Sequence, residues 1–381
     1  MVIVYIAALV LIFYLLAKVS DQYFVESLDI IAKKWKLSDD VAGATLMAIG
    51  SSAPEFFTAV VALGKIGSEQ IGAGTIVGSA IFNVLVIVGM SSIVATAYLN
   101  WRPVIRDLLF YISSILLLLI TFQDGVITTG EASIYLFGYG LYVFLLSRWS
   151  KWFPDKKITS VLVDEVDAYK EEEQKLVRTG GIIGRMMHAI DIVLSKLFPA
   201  KAAFSKKYWR VFIVSIIMIA FLSWALVEIA VLMAHSIGIP EVIIALTILA
   251  GGTSIPDLLG SLIVSKKGRG DMAVSNAVGS NTFDIFIGLG LPWFVYTLFL
   301  GKNVIVGTEN LFSSILLLLF TVITLLFLLI VQKFKIGRNA GYVLLCIYAA
   351  YLGYSIYGAY VPGAWTLGEF LMYGGQVLGV T

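Results

Sequence analysis

The sequence predicts an all-α polytopic membrane protein with ten transmembrane helices, arranged as two inverted five-helix repeats. Three observations carry this: an apolar composition, a one-sided distribution of basic residues, and a duplicated motif in the two halves. Of 381 residues, 59% are hydrophobic and 14% charged, against roughly 45–50% and about 25% in a soluble domain. A disordered chain is excluded, because it would lack apolar residues. A net charge of +2 argues against nucleic acid as a partner. With one cysteine and two histidines, no disulfide framework or cysteine- or histidine-rich metal cluster is expected.

Crossing a bilayer takes about 20 mostly apolar residues. Such runs lie near 2–20, 40–64, 71–99, 105–122, 128–147, 208–236, 240–264, 271–300, 310–332 and 340–361. The first lacks a basic leader and a small-residue cleavage site, so it reads as a span rather than a signal peptide. With the N-terminus outside, 25 of the 27 Lys and Arg residues fall on the cytoplasmic side, and only Lys65 and Lys302 lie outside. A wrong span count would scramble that bias.

The polar stretch 148–207 separates an N-terminal repeat, 1–147, from a C-terminal one, 208–381. It is expected in the cytoplasm. Residues 164–174 are acidic. Further on, Ile182, Ile183, Met186, Met187, Ile190, Val193, Leu194 and Leu197 recur at helical spacing, flanked by Arg185 and Lys196. This reads as an amphipathic helix on the membrane surface or a plain connector helix.

The duplication is explicit. VAGATLMAIGSSAPE (41–55) aligns with IIALTILAGGTSIPD (243–257), keeping Thr45/Thr247, Ala48/Ala250, Gly50/Gly252, Ser52/Ser254 and Pro54/Pro256. VGSAIFN (77–83) then aligns with VGSNTFD (278–284) at nearly the same separation. The repeat motifs occupy 41–90 and 243–293. Because each half holds an odd number of spans, the second copy is inserted upside down, as in secondary transporters whose broken helices meet at mid-membrane.

Glu55, Asp257 and Asp284 sit inside apolar spans with no Lys or Arg in the same spans. A buried carboxylate needs a partner, and a bound cation is the candidate. A protonated acid filling a core position is the plain alternative. Pro54 and Pro256 lack the N–H that would bond the carbonyls of Gly50 and Gly252. Those carbonyls, with the hydroxyls of Ser51, Ser52, Thr253 and Ser254, are expected to face a cation as hard oxygen ligands, and Ca²⁺ takes about 6–8 of them. Ser79, Asn83, Ser280 and Asp284 would complete the ring. Among weaker signals, Glu228 suits a water-filled path or a helix–helix contact equally. His235 reads as interfacial. Gly-Arg-Gly-Asp at 268–271 resembles an intramembrane protease motif but has no partner aspartate motif. A serine nucleophile has no base to activate it.

These motifs resemble the two alpha-repeats of the calcium/cation antiporter superfamily, and within it the potassium-dependent sodium/calcium exchangers. The matching stretches are DQYFV (21–25), LSDDVAGATLMAIGSSAPE (37–55), GAGTIVGSAIFN (72–83), LAGGTSIPD (249–257), KKGRGDMAVSNAVGSNTFDI (266–285) and GLGLPW (288–293). The resemblance implies the sodium/calcium exchanger fold and Na⁺-for-Ca²⁺ antiport by alternating access. It implies that Glu55 and Asp257 are the Ca²⁺ carboxylates. Ser51, Ser52, Thr253, Ser254, Ser79 and Ser280, with the backbone at Ala48 and Ala250, would line the Na⁺ and Ca²⁺ sites. Aspartate at 284 accompanies K⁺ co-transport in that family, while Thr282 departs from its usual apolar residue. The large Ca²⁺-sensing cytoplasmic loop of animal sodium/calcium exchangers has no counterpart here, so regulation through it is not expected.

The expected activity is therefore transport and not catalysis, with no cofactor. Na⁺, Ca²⁺ and K⁺ are the transported ions, the bilayer is the surrounding partner, and a single chain suffices. Spans 1 and 6 are the expected moving parts. Rival readings are K⁺-independent exchange, a proton/calcium antiporter using the same carboxylates, and a cation channel. A channel would conduct without a counter-ion and usually needs several chains around one pore.

Overall fold

The first element, α1, runs without a break over Val2–Lys34. At 1.5 Å per residue its 33 residues reach about 50 Å, well beyond the roughly 30 Å hydrocarbon core. The computed structural model describes residues 1–35, 45–46, 48–65, 69–152, 182–200, 203–306 and 309–360. The acidic stretch 164–174 and the first residues of the second predicted span lie outside these, as do the side chains of 182–188.

After α1 come two short helices, α2 (Ala48–Ser51) and α3 (Ala53–Leu63). Then follow α4 (Glu69–Val94), α5 (Trp101–Thr121), α6 (Thr129–Trp152), α7 (Ile182–Leu197) and α8 (Phe204–Ile237). The remainder is α9 (Glu241–Thr253), α10 (Ile255–Lys266), α11 (Gly270–Leu300), α12 (Glu309–Val331) and α13 (Arg338–Tyr360). The described part of each predicted span is thus largely helix. Among the described residues, seven helices are long and apolar enough to cross a membrane, or eight counting α9 and α10 as one span bent by 42°. The other two predicted spans differ for local reasons. The second is divided at Ser52 into short pieces. The fifth, α6, is diluted by Gly, Tyr and Ser.

One correction concerns the first span. The sequence reading ends it at residue 20 and counts Lys18 among the flanking charges. In the structure Lys18 is a buried residue inside α1, 2% exposed, bonded to Asp191 of α7 at 2.6 Å. Its ammonium also donates to the Tyr14 hydroxyl at 3.1 Å. Pairing removes the cost of a bare buried charge, so a lysine can sit where hydropathy marks a boundary. Helix α7 is docked rather than loose. Leu194 and Phe198 join the apolar cluster of α1 and α8, and the Phe198 ring stacks on Tyr23 at 3.8 Å. On its other side Ile192, Val193 and Leu197 are exposed.

Among the described residues two large apolar cores result. One gathers α1 and α8 with α7 and parts of α3 and α9. The other is built from α4, α5, α6, α11, α12 and α13. Helix α4 is enclosed on every side, as an all-round apolar helix must be. It lies tight against α9. A Cβ at Gly78 would strike the Leu246 carbonyl and come within 2.7 Å of the Ala250 methyl, so only glycine fits there.

Among the described residues, four two-residue strands tie the helix ends. Strand β1 (Ala97–Tyr98) pairs antiparallel with β4 (Lys335–Ile336), and β2 (Val126–Ile127) pairs with β3 (Val304–Ile305). Helix α5 joins β1 to β2, and α12 joins β3 to β4, so the two ribbons sit at opposite ends of both helices. By order of elements in the two halves, β1 after α4 corresponds to β3 after α11, and β2 after α5 to β4 after α12. Each strand therefore pairs with the counterpart of its own neighbour, at the opposite end. Two copies inserted in opposite senses produce this exchange.

Candidate functional site

The site begins at two matched breaks. Ser52, between α2 and α3, has φ −89° and ψ 10°; Ser254, between α9 and α10, has φ −89° and ψ 0°. Each is followed by a proline in the first turn of the next helix, where a missing N–H costs nothing. Glu55 and Asp257 therefore stand in first turns, close to unsatisfied N–H groups that favour negative charge. The second pair of elements, α4 and α11, turns π-helical at Asn83–Ile87 and at Asp284–Leu289. Such π turns are frequent at functional sites. Here they begin at the two aligned polar residues, Asn83 and Asp284.

These four places meet. The hydroxyls of Ser79 on α4 and Ser254 share a hydrogen bond of 2.6 Å across the repeats. Ser79 and Thr253 lie beside the Glu55 carboxyl, and Ser52 lies beside Asp284. Glu55, Asp257 and Asp284 are within electrostatic reach of one another, with Asp21 of α1 near Asp257. Glu55 and Asp284 are buried, whereas Asp257 is half-buried. Among the described residues none of the three forms an ion pair; the cations pair elsewhere, as in Lys65–Glu228 at 2.8 Å. That pair joins Glu228 on α8 to the turn just past α3, and His235 at the end of α8 is 73% exposed.

Unmet acceptors mark the centre. Glu55 Oε2, Asn83 Oδ1 and Asp284 Oδ1 are buried without a hydrogen-bond partner. A buried acceptor left unpaired is costly, so such acceptors drawn from both repeats, with Glu55 and Asp284 within electrostatic reach of each other, suit a cation. Among the described residues no three Asp, Glu, His or Cys side chains are gathered tightly enough to grip one metal ion. Hydroxyl, amide and backbone oxygens would therefore have to supply much of the coordination.

Other expected ligands are partly engaged locally. Ser51 Oγ donates to the Ala48 carbonyl at 3.3 Å, and Ser280 Oγ to the Asn276 carbonyl at 3.0 Å. Thr253 Oγ1 donates to the Leu249 carbonyl at 3.1 Å and to that of Ala250 at 3.3 Å. Their lone pairs stay usable, but their protons are committed. The carbonyls of Ala48 and Ala250 accept the N–H of Ser52 and Ser254. The Gly50 carbonyl, released by Pro54, keeps only part of its acceptor capacity for a cation. Ser20 on α1 donates its hydroxyl to it at 2.8 Å. At the matching Gly252 the ring of Phe13, also on α1, packs where a Cβ would be.

Sequence reasoning also missed Asn281. Its side chain accepts from Asn83 Nδ2 at 2.8 Å and donates to the Ala80 carbonyl at 3.2 Å and to the Tyr111 hydroxyl at 3.0 Å. The signal was present in the repeat alignment, where alanine in one copy faces asparagine in the other.

Helices enclosing buried, unpaired carboxylates at broken segments define a multi-pass membrane transporter rather than an enzyme. The sodium/calcium exchanger protein family matches residues 5–148 and 207–357, and the chain belongs to that family. Relatives include sodium/potassium/calcium exchanger 2 of Rattus norvegicus, 29% identical over 93% of this chain and 78% of that one. Sodium/potassium/calcium exchanger 4 of Mus musculus is 27% identical over 93% and 81%. Among solved structures the sodium-calcium exchanger NCX_Mj superposes with a TM-score of 0.56 at 21% identity, over 93% of this chain and 99% of that one. At that identity the likeness speaks for the fold.

Proposed function

We propose that this protein is a secondary active antiporter that exchanges Na⁺ for Ca²⁺ at the mid-membrane site and carries K⁺ together with Ca²⁺. The observation that carries the reading is the set of unpartnered acceptors on Glu55, Asn83 and Asp284, contributed by both repeats. Glu55 and Asp257 are the Ca²⁺ carboxylates. Asp284 supplies the further charge that a monovalent cation neutralises, and the relatives' names, sodium/potassium/calcium exchangers, favour K⁺ in that place. The serine and threonine oxygens suit Na⁺.

Coupling follows from shared ligands. Several Na⁺ ions or the Ca²⁺ load occupy the same oxygens, so each excludes the other. Closure over a filled site and not over an empty one, where buried carboxylates would repel, makes the two fluxes obligatory. An excess of sodium charge draws about 2.3 kcal/mol per charge from each 100 mV of membrane potential. The chain works as a monomer in the cell membrane, N-terminus outside and the 148–207 segment in the cytoplasm.

The test is Ca²⁺ uptake into vesicles loaded with Na⁺, at fixed pH and clamped voltage, with and without external K⁺. Uptake that needs the outward Na⁺ gradient and rises with K⁺ supports the reading. Uptake driven by a proton gradient and indifferent to Na⁺ replaces it with proton/calcium antiport.

A further inference from the structure

We infer that Asn281 is a positioning residue: it fixes which end of the Asn83 side-chain amide faces the cation, without touching the cation itself. The inference rests on the exchange reading above. It begins at a group that cannot rotate, the backbone carbonyl of Ala80. A carbonyl only accepts, so it selects the NH₂ end of the Asn281 amide, which donates to it at 3.2 Å. The same nitrogen donates its second proton to the Tyr111 hydroxyl at 3.0 Å. Both donors of Asn281 are thereby spent.

Its oxygen must then point the other way, toward Asn83. That oxygen accepts from Asn83 Nδ2 at 2.8 Å. Asn83 is oriented in turn, with its nitrogen toward Asn281 and its oxygen on the far side. This oxygen is one of the buried acceptors without a partner. Reversing either amide would set carbonyl against carbonyl or NH₂ against NH₂ inside a fully buried contact. An amide's two ends are nearly the same size, so shape alone would not choose between them; the network does. A carboxylate at 83 would need no such direction, since both its oxygens accept. The device answers to one repeat having Asn where the other has Asp284.

The site's preference for cations thus depends on a residue outside its ligand shell. If Asn83 is free to turn, it presents NH₂ to the cation for part of the time. The cation then loses a ligand and meets a positive dipole.

The test measures Na⁺-driven Ca²⁺ uptake in vesicles for wild type, Asn281→Ala, Asn83→Ala and the double variant. Retention of fold is followed by thermal unfolding. Because the cation then loses the Asn83 oxygen as a ligand for part of the time, Asn281→Ala should raise the KM for Ca²⁺ roughly tenfold, about 1.4 kcal/mol, with the maximal rate less affected. In the Asn83→Ala background the same change should add little. Independent, multiplying effects would overturn the positioning role, as would an unchanged KM in a folded Asn281→Ala. Tyr111→Phe keeps the volume, removes one acceptor and should shift KM the same way by a smaller factor; it serves if Asn281→Ala does not fold. Wild type without Na⁺-driven uptake would refute the exchange reading itself. Wild-type exchange with an unmoved KM in the variants would refute only the role of Asn281.

Discussion

Ser20 and Gly50 are joined by a hydrogen bond of 2.8 Å between the first helix and the broken second one. The carbonyl is available because residue 54 is proline and the intrahelical donor is missing. Ser20→Ala should therefore strand a buried carbonyl and cost about 1–3 kcal/mol, read as a lowered thermal midpoint in detergent. Pro54→Ala restores an N–H one turn on. In that background Ser20→Ala should cost distinctly less, and equal costs in both backgrounds would refute the account.

Glu55 and Asp257 are related by the repeat and flank the same centre. Glu55→Gln and Asp257→Asn keep shape and remove charge. Each should abolish Na⁺-driven Ca²⁺ uptake while the protein still unfolds cooperatively. Normal Ca²⁺ flux in either variant would remove these residues from the site.

Asp284 sits beside Ser52 with one oxygen unpaired. Asp284→Asn should leave exchange of Na⁺ for Ca²⁺ but flatten its dependence on external K⁺. A variant as K⁺-dependent as wild type would assign the K⁺ elsewhere.

The Lys18–Asp191 pair is lopsided, with side-chain exposures of 2% and 41%. Asp191→Ala removes a carboxylate from beside a buried ammonium, whereas Lys18→Met leaves only a carboxylate that can turn to water. Asp191→Ala should be the more destabilising, by about 1–3 kcal/mol; solvent at Asp191 keeps it below the roughly 3–5 kcal/mol of a fully buried pair. Comparing the two melting curves decides it.

What could be read in advance followed from local rules. The prolines at 54 and 256 announce the breaks because ring sterics act within one turn, and each break falls two residues before its proline. Alternating basic loops gave an order of spans with which the β1–β4 and β2–β3 pairings agree. The unread parts are contacts between distant segments. Ser20 reaches Gly50 only because α1 passes the break at close range, next to a π-helical turn over Ser20–Phe24. Hydropathy sets Lys18 at a boundary because it is blind to a partner 173 residues away at Asp191. Asn281 carries no signal of repeat identity, because its counterpart in the other copy is Ala80, and its role lies in that difference.

The two ribbons also bear on how the chain is made. Strand β1 has no partner until β4 emerges, after almost the whole of the second half, and β2 waits for β3. Contacts so distant in sequence form late, because the intervening loop must be closed first. During synthesis the N-terminal half therefore sits in the bilayer with two open strand edges, one at each end of α5, and only the last helices seal them. Those edges are a template for joining. An N-terminal fragment ending in the 148–207 segment and a separately made C-terminal fragment carry complementary halves of both ribbons, which gives them the means to find each other and assemble.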